Sequence, residues 1–403
     1  MIKRTLQELC LNITDGKHGD CENEGNSGYY FISCKDIFDG QINYKNARQI
    51  TKADFEETHK RTMLEVDDIL LTNSGTIGRM AFVTDREATT KTTFQKSVAI
   101  IKPDKQKVLP RYLYYQLQNC VPQFINSSNG SAQKNLLLST MRTFQIEIEE
   151  NREKQEKIAN TLSAYDDLIE NNQKQIKLLE EAAQRLYKEW FVDLRFPGHE
   201  NTKIVDGVPE GWNECTVESF GTVITGKTPP TSNKDYYTNG KVPFVTIPDM
   251  HNVVYPLKTE KRLTIEGAQT QKNKYIPPNS VMISCIGTVG LVSIATEVCQ
   301  TNQQINSIIL NNEDDLYFFY ESMLRMKDLL DGLGSNGATM TNVNKSKLEK
   351  LIIISPSKDI VKQYNDVCKP LFESALNLSR KNVYLKNMRE ALLPKLMSGE
   401  VEV

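Results

Sequence analysis

The sequence has few of the residues that build metal centres and disulfide frameworks. Its 403 residues include four histidines and eight cysteines, and no two cysteines form a Cys-x-x-Cys pair. A zinc site is not expected, because structural zinc ligands come at short, recurrent spacings. We expect reduced and mostly buried thiols in a reducing compartment. The cysteines are Cys10, Cys21, Cys34, Cys120, Cys215, Cys285, Cys299 and Cys368.

Catalytic motifs and membrane signals are also missing. The chain has no His-Glu-x-x-His, no Gly-x-Ser-x-Gly and no Asn/Asp-Pro-Pro-aromatic tetrapeptide of the amino-methyltransferase kind. It has no apolar run of membrane-spanning length, and its first residues lack the apolar stretch of a secretory signal. We therefore expect a cytoplasmic protein that contacts no membrane, is not an enzyme, and holds no metal or cofactor of its own.

Charge of one sign is not in excess. The 49 Lys and Arg residues nearly balance 51 Asp and Glu residues, which gives a formal net charge of −2. A protein that coats nucleic acid without specificity would be basic. The balance leaves room for local basic patches.

The chain does contain an internal repeat. LTNSGTIGRMAFV, from Leu71 to Val83, recurs as ISCIGTVGLVSIA, from Ile283 to Ala295, with Gly75 and Gly287 lying 212 residues apart. Further pairs follow in the same order in both halves: ITDGKHG with ITGKTP, GYYFISCKDI with GKVPFVTIPDM, FQKSVAII with QQINSIIL, and GSAQKNL with GATMTNV. This pattern indicates duplication of a unit of about 200 residues, far longer than a solenoid repeat.

Each repeated phrase predicts two short strands around a Gly-x-x-Gly turn. YLYYQLQNCVPQFI and YFFYESMLRMKDLL predict helices. We therefore expect two similar mixed α/β domains with sheet cores.

A long helix follows each domain. Apolar residues alternate at steps of four and three from residue 158, which is a heptad pattern broken by one polar position, Asn172. From Arg152 to Phe191 such a helix would be about 60 Å long. The predicted contact stripe is Ile158, Leu162, Tyr165, Ile169, Asn172, Ile176, Leu179, Ala183, Leu186 and Trp190.

The second helix has a weaker stripe, interrupted by Ser374 and Lys381, and we expect Pro394 to end it. Its predicted positions are Ile360, Tyr364, Val367, Leu371, Leu378, Leu385, Met388 and Leu392. Because one heptad helix cannot bury its own stripe, the two are expected to pair as an antiparallel coiled coil. Docking of each helix on its own domain is the alternative.

The predicted organisation has five parts. Residues 1–150 form a first domain, 151–195 a central helix, 196–212 a linker rich in Gly and Pro, 213–355 a second domain, and 356–403 a C-terminal helix and tail.

These features resemble the specificity subunits of type I restriction-modification systems. The resemblance rests on the two Gly-Thr-Ile/Val-Gly phrases, GSAQKNL, LYKEWFVDLRFP at Leu186–Pro197, VPEGW at Val208–Trp212 and LLPKLMSGEV at Leu392–Val401. It covers nearly the whole chain in family order. The second half departs from it in having GATMTNV where the first has GSAQKNL.

The resemblance implies two target-recognition domains related by a pseudo-two-fold repeat, each reading half of a split, asymmetric site on double-stranded DNA. The two helices would set the gap between the halves. They would recruit two methyltransferase subunits, which bind S-adenosylmethionine and methylate adenine. A restriction subunit that uses ATP and Mg²⁺ can join such complexes, and the specificity subunit itself is not catalytic.

Side chains that donate hydrogen bonds from loops are the candidates for DNA contact. In the first domain they are Lys17, Lys35, Ser74, Thr76, Arg79, Lys134 and Asn135. In the second they are Lys227, Thr228, Lys241, Thr288, Asn302, Gln303, Thr341 and Asn342. The glycines of the repeated phrase occur in both domains, which should read different bases, so we expect them to be structural.

Two other classes of protein fit part of the pattern. A coiled-coil scaffold with two protein-binding domains would also be long, repeated and slightly acidic. An enzyme with a degenerate active site would show activity as the purified chain alone. Specific, salt-sensitive DNA binding by the assembled complex would separate the specificity subunit from both.

Overall fold

The computed structural model describes residues 1–128, 134–334 and 342–402. The chain divides into two compact units, of which the first comprises Met1–Asp167 together with Lys386–Val403 and the second comprises Leu168–Leu385. The five-part organisation predicted above remains a prediction, although residues 196–212 do include a short β-hairpin. All eight cysteines are free thiols, and six of them are buried.

The first unit contains eleven strands and the start of a long helix. The strands are β1 (Ile2–Thr5), β2 (Cys10–Asp15), β3 (Tyr30–Ile32), β4 (Ile37–Phe38), β5 (Gln41–Ile42), β6 (Arg48–Gln49), β7 (Ile69–Thr72), β8 (Met80–Phe82), β9 (Thr92–Phe94), β10 (Val98–Pro103) and β11 (Gln145–Ile148). The helices are α1 (Lys52–Thr62), α2 (Arg86–Thr89), α3 (Pro110–Asn119), α4 (Val121–Asn126), α5 (Leu138–Thr143) and α6 (Arg152–Tyr187), which continues into the second unit.

The central sheet of the first unit has the strand order β2-β10-β7-β8, all antiparallel. Its inner strands are buried on both faces, so they read as continuous apolar runs and do not alternate. Ile69 and Leu71 of β7 pack into one core cluster, whereas Leu70 packs into another on the opposite face. A three-stranded sheet, β6-β3-β9, and the pair β1-β11 complete the unit's main sheets.

The second unit repeats this architecture. Its strands are β12 (Ile204–Val205), β13 (Val208–Pro209), β14 (Asn213–Thr216), β15 (Gly221–Thr225), β16 (Val242–Val245), β17 (Lys261–Leu263), β18 (Val281–Ser284), β19 (Val292–Ile294), β20 (Gln300–Thr301), β21 (Ile305–Leu310) and β22 (Ile352–Ser355). Its helices are α7 (Val217–Phe220), α8 (Ile265–Gln269), α9 (Leu316–Arg325), α10 (Lys327–Gly334), α11 (Lys345–Glu349) and α12 (Lys358–Ser398), which continues into the first unit.

The three main sheets of the two units match strand for strand. The order β15-β21-β18-β19 corresponds to β2-β10-β7-β8, β17-β16-β20 to β6-β3-β9, and β14-β22 to β1-β11. The predicted duplication, the strands on either side of each Gly-x-x-Gly turn and the helices after them are therefore confirmed. The mixed α/β class is confirmed with them.

Within the second unit, α6 and α12 pack antiparallel. Asn172 Nδ2 donates to Asn382 Oδ1 at 2.8 Å, and Tyr364 Oη donates to the Ala183 carbonyl at 3.2 Å. The residue numbers rise along one helix as they fall along the other. Asn172, the polar position of the first stripe, is 3 % exposed and Asn382 is 7 % exposed. The polar break is therefore a buried amide pair, a device that fixes register in helix pairs.

Within the first unit, the start of α6 packs against the end of α12. Ile158 and Leu162 share a buried cluster with Leu396 and Met397. Asp166 accepts a hydrogen bond from Tyr115 Oη at 2.6 Å and forms an ion pair with Arg389. The helix pairing and the docking of each helix on a domain, offered as alternatives above, thus occur together.

The first predicted stripe agrees with the burial of its residues, but the second is wrong in register. Ile158, Leu162 and Ile169 are buried, and Tyr165, Ile176, Leu179, Leu186 and Trp190 are half-buried. In α12, Val367 is 48 % exposed and Met388 is 41 % exposed. Tyr364 and Leu385 are buried, and Ile360, Leu371, Leu378 and Leu392 are half-buried.

The buried stripe of α12 lies one residue further along much of the helix. It contains Val361, Cys368, Phe372, Ala375 and Asn382. A count of large apolar residues misses it, because several positions hold small or polar side chains.

Pro394 does not end the last helix, contrary to the prediction. α12 runs on to Ser398. A proline inside a helix removes one backbone hydrogen bond and crowds the preceding turn. Here the residues after it, Leu396 and Met397, are buried in the core of the first unit, and this burial offsets the loss.

The buried amide pair should make the stability of the protein sensitive to substitution of Asn172. Asn172→Ala should lower the free energy of unfolding by about 1–3 kcal/mol, because Asn382 Oδ1 then loses its donor inside the helix interface. Asn171→Ala is the matched control, since Asn171 is its exposed neighbour on the same helix.

Urea unfolding of the three proteins measures the difference. The double variant Asn172→Leu with Asn382→Leu should recover the stability, because both polar groups leave together. Equal losses in the Asn171 and Asn172 variants would contradict a role for the pair.

Candidate nucleic-acid interface

The two repeated phrases fold into the same turn. Gly78 N donates to the Thr72 carbonyl at 3.0 Å, and Gly290 N donates to the Ser284 carbonyl at 2.9 Å. The next residue in each unit donates its backbone N–H to the hydroxyl of Thr72 or Ser284, at 2.9 Å in both. We call these the β7–β8 turn and the β18–β19 turn.

Glycine is required in these turns by conformation and by space. Gly78 has φ +93° and Gly290 has φ +80°. An added Cβ would lie 2.5 Å from Val121 Cγ1 at Gly78 and 2.7 Å from Lys327 Cγ at Gly290. The helix that follows the sheet, α4 in the first unit and α10 in the second, therefore packs directly on the glycine. The shared phrase specifies a backbone shape.

A second segment pairs with each turn at its outer side. Ser74 forms a β-bridge with Asn135, and Ile286 forms the equivalent bridge with Asn342. The residue after each asparagine donates its N–H back to the strand end, at 2.8 Å in the first unit and 2.9 Å in the second. The repeat thus extends to the segments GSAQKNL and GATMTNV, as far as their described residues go.

A short 3₁₀ turn, Cys34–Asp36, lies beside the β7–β8 turn. Arg79 Nη1 approaches the Cys34 carbonyl at 3.5 Å, and Cys34 N donates to Ser97 Oγ at 3.1 Å. The turn is closed by Ser33, whose hydroxyl donates to Asp36 Oδ2 at 2.7 Å. Thr246 and Asp249 make the same contact in the second unit, also at 2.7 Å.

The lysines at the ends of β2 and β15 occupy equivalent positions. Lys17 N donates to the Phe94 carbonyl at 2.8 Å, and Lys227 N donates to the Thr301 carbonyl at 3.0 Å. Phe94 therefore corresponds to Thr301.

The sequence comparison, which set FQKSVAII against QQINSIIL, had this strand two residues out of register. A shift of two keeps every side chain on its own face of a strand, so the apolar pattern does not reveal it.

Most of the candidates in the first unit lie together around the β7–β8 turn. Lys35, Thr76, Arg79 and Lys134 are exposed, and Ser74 and Asn135 are half-buried. Cations and hydrogen-bond donors thus gather at one edge of the sheet, which is the composition that phosphate and base contacts need.

Lys17 differs from these candidates because it is ion-paired within the protein, and its contact with DNA stays a prediction. Its ammonium group lies 3.0 Å from Asp54 Oδ1 and 3.4 Å from Glu57 Oε2, both on α1. The hydrogen bond to Asp54 raises the pKa of Lys17. The pKa of Asp54 is lowered, first by the backbone N–H of Glu22 and then by Lys17. The charge of Lys17 is therefore already compensated within the protein.

In the second unit, Lys227, Thr288, Gln303 and Asn342 are exposed and Thr228 is half-buried. Thr228 Oγ1 donates to Gln303 Oε1 at 2.6 Å. Thr341 lies outside the described residues.

Two candidates of the second unit have different surroundings, and their contact with DNA stays a prediction. Asn302 is 9 % exposed, and its amide bonds the side chain and backbone of Gln304 at 3.0 and 3.1 Å. It shapes a turn. Lys241 precedes β16, whereas the 3₁₀ turn beside the candidate surface, Ile247–Met250, follows that strand. A four-residue strand of about 13 Å separates them.

Sequence reasoning missed two exposed cations. Lys96 is the structural counterpart of Gln303, and the misaligned strand hid this correspondence. Lys327 begins α10 and contacts Gly290. The helix predicted from YFFYESMLRMKDLL contains Lys327, but no pattern in the sequence indicates that this helix packs on the turn.

Residues Gly221–Thr228, GTVITGKT, match the spacing of a phosphate-binding P-loop. Such a loop needs free backbone N–H groups and a helix that follows it. Here Gly226 N donates to the Ile305 carbonyl and Lys227 N to the Thr301 carbonyl, both at 3.0 Å. Two prolines follow Thr228, and β15 occupies most of the pattern. The arrangement does not form a nucleotide cradle.

Comparison with known proteins assigns the chain to a family. A family model described as the type I restriction modification DNA specificity domain matches the chain twice, at residues 5–181 and 209–383. The chain belongs to this family. The two matches cover the two halves of the repeat, and the family predicted from the sequence is confirmed.

Relatives in the specificity-domain family carry matching names. The HindI specificity subunit of Haemophilus influenzae is 33 % identical over 75 % of this chain and 80 % of its own length. The MjaIX specificity subunit of Methanocaldococcus jannaschii is 29 % identical over 93 % of this chain and 87 % of its own. These relatives are named as specificity subunits of type I restriction enzymes.

A solved structure shares the fold. The S subunit of a type I restriction-modification system from M. genitalium aligns over 98 % of this chain and 95 % of its own, with a TM-score of 0.56 and 15 % identity. Across the described ranges, no helix of this specificity-family chain has the length and apolarity to cross a membrane.

The glycine contacts lead to a test of the turn geometry. Gly78→Ala should lower the stability of the specificity-family chain by more than about 1–2 kcal/mol, the cost of a left-handed alanine, because a clash with Val121 adds to it. Gly25→Ala is the control, since no atom lies within 4 Å of its added Cβ. Thermal unfolding that ranks the two variants equally would contradict the requirement for glycine.

Proposed function

We propose that this chain reads a split DNA site, with one half of the site recognised by the surface around each Gly-x-x-Gly turn. The observation that carries the proposal is the pair of matching turns that hold different side chains at equivalent positions. Arg79 follows the turn in the first unit where Leu291 follows it in the second, and Lys96 stands where Gln303 stands. Two surfaces that recognise different DNA sequences need different hydrogen-bond donors, and these can be held on the same backbone.

The proposal extends to partners. We infer that the chain recruits two methyltransferase subunits, which supply S-adenosylmethionine and methylate adenine, and that a restriction subunit with ATP and Mg²⁺ can join. The chain itself supplies recognition and holds no cofactor. The membership of the specificity-domain family and the names of the relatives support this assignment. A cytoplasmic location accords with it and stays a prediction.

The net charge of the chain is compatible with DNA binding. The charge of −2 is spread over 403 residues, whereas Lys35, Arg79, Lys96 and Lys134 belong to one surface of the first unit. Phosphate contacts made by the methyltransferase subunits would add to this attraction.

The deciding experiment is a map of methylated adenines. The chain is expressed with the methyltransferase subunit of its own system in a host that lacks adenine methylation, and modified bases are located by single-molecule sequencing. We expect one split motif that vanishes when this chain is omitted. Absence of any motif, with the methyltransferase shown to be folded and bound, would favour the protein-binding scaffold.

Replacement of the two equivalent lysines should change the salt dependence of DNA binding to different extents. Lys227→Ala should reduce the slope of log K against log salt by about 0.9 if Lys227 neutralises one phosphate. Lys17→Ala should change the slope much less if the ion pairs with Asp54 and Glu57 hold Lys17 away from DNA. Within the described residues Lys227 has no ion-pair partner.

The measurement is equilibrium binding of the assembled complex to a duplex that carries its motif, between 50 and 200 mM salt, the range over which phosphate contacts dominate the change. Equal changes in the two variants would show that the pairing on α1 does not withhold Lys17 from DNA.

A further inference from the structure

Gln303 stands at the tip of the turn between β20 and β21 and is exposed. The backbone around it is the same in both units: Cys285 N donates to the Gln304 carbonyl at 2.8 Å, and Asn73 N donates to the Ser97 carbonyl at 3.0 Å. Gln303 and Lys96 therefore occupy one structural position. An amide in one unit and an ammonium group in the other is a difference in chemistry on a constant backbone.

The amide of Gln303 is held in place by a neighbour. Thr228 Oγ1 donates to Gln303 Oε1 at 2.6 Å, and this bond sets the plane of the amide. Two N–H groups on Nε2 and one lone pair on Oε1 remain for a ligand. The free groups are thus a donor and an acceptor side by side.

The residues beneath this pair are bonded to one another. Gln271 Nε2 donates to the Lys227 carbonyl at 2.7 Å and to Gln300 Oε1 at 2.8 Å, and both glutamines are buried. Asn302 and Gln304 close the turn on the other side of Gln303. Bonded support of this kind keeps a recognition side chain in one geometry.

A side chain that offers one hydrogen-bond donor and one acceptor binds best to a ligand that offers the complementary pair. In the major groove adenine presents N7 as an acceptor and N6 as a donor, which matches the free groups of a glutamine. A phosphate presents acceptors only and is better served by a cation. Guanine presents two acceptors, N7 and O6, and matches a lysine or arginine. The amide at residue 303 therefore fits an A·T base pair best.

We propose that Gln303 reads one A·T base pair in the half-site bound by the second unit, and that Thr228 is its positioning residue. The inference rests on the proposed function and adds to it the base and the residue that reads it. Other residues of the second unit specify the remaining positions of its half-site.

The test determines the methylation motif of the wild-type complex and compares it with the motif of the Gln303→Ala complex. We expect Gln303→Ala to relax one A·T position in one half of the motif and to leave the other half unchanged. A bidentate contact discriminates between base pairs by about 1–3 kcal/mol. The ratio of methylation rates on two duplexes that differ only at that base pair should therefore fall by about 5- to 150-fold in the variant. The unchanged half shows that the variant complex is folded.

Thr228 is tested by a pair of variants. Thr228→Val removes the hydroxyl at nearly constant volume and should relax the same base pair as Gln303→Ala, whereas Thr228→Ser should retain the wild-type preference. A residue that only supported the fold would lower methylation at all sites without a change at one position. Lys203→Ala, at an exposed site in the segment before β12, is the control and should leave both halves as they are.

The outcomes separate the inference from the proposed function. A wild-type complex without a split motif would remove the proposed function and this inference with it. A wild-type split motif that Gln303→Ala leaves unaltered would overturn the inference alone. A uniform loss of methylation across all sequences in Gln303→Ala would also overturn it, because it would indicate a phosphate contact.

Discussion

The structure depends on the burial of two long apolar stripes that neither helix can bury alone. In the second unit the stripe of α6 packs on α12 through Asn172 and Ala183, and in the first unit through Ile158 and Leu162. Ala183, Ile158 and Leu162 are also members of the domain cores. The stripe on a helix and the core of a sheet domain are therefore one hydrophobic system in each unit, and any change in helix register would disturb the sheet beneath it.

The elements that repeat a local pattern could be predicted from the sequence. The strands around Gly75 and Gly287 follow from apolar runs broken by glycine, and the long helices follow from heptad spacing. The contact stripe of α12 could not be predicted in the same way, because Ala375 and Asn382 contribute to it through size and hydrogen bonding. The continuation of that helix past Pro394 depends on Leu396 and Met397 finding a core that lies more than 200 residues earlier in the chain.

The candidate surface shows the same division. Which loops carry donors was predictable, because the repeat shows where variable segments adjoin a constant turn. Which of these donors are available for contact with DNA could not be predicted. Lys17 is compensated by Asp54, 37 residues further on, and Gln303 is oriented by Thr228, 75 residues before it. These pairings arise only when α1 and β15 are in place, and no spacing within the sequence encodes them.

The first unit is built from both ends of the chain, and this has a consequence for synthesis. Leu396 and Met397 complete its core, whereas the second unit is the unbroken stretch Leu168–Leu385. On the ribosome, about 220 residues must be added after the first part of the first unit emerges, which takes roughly 10–45 seconds at common elongation rates. All residues of the second unit are therefore synthesised before the last residues of the first. The second unit can close while the first still waits for the last turns of α12.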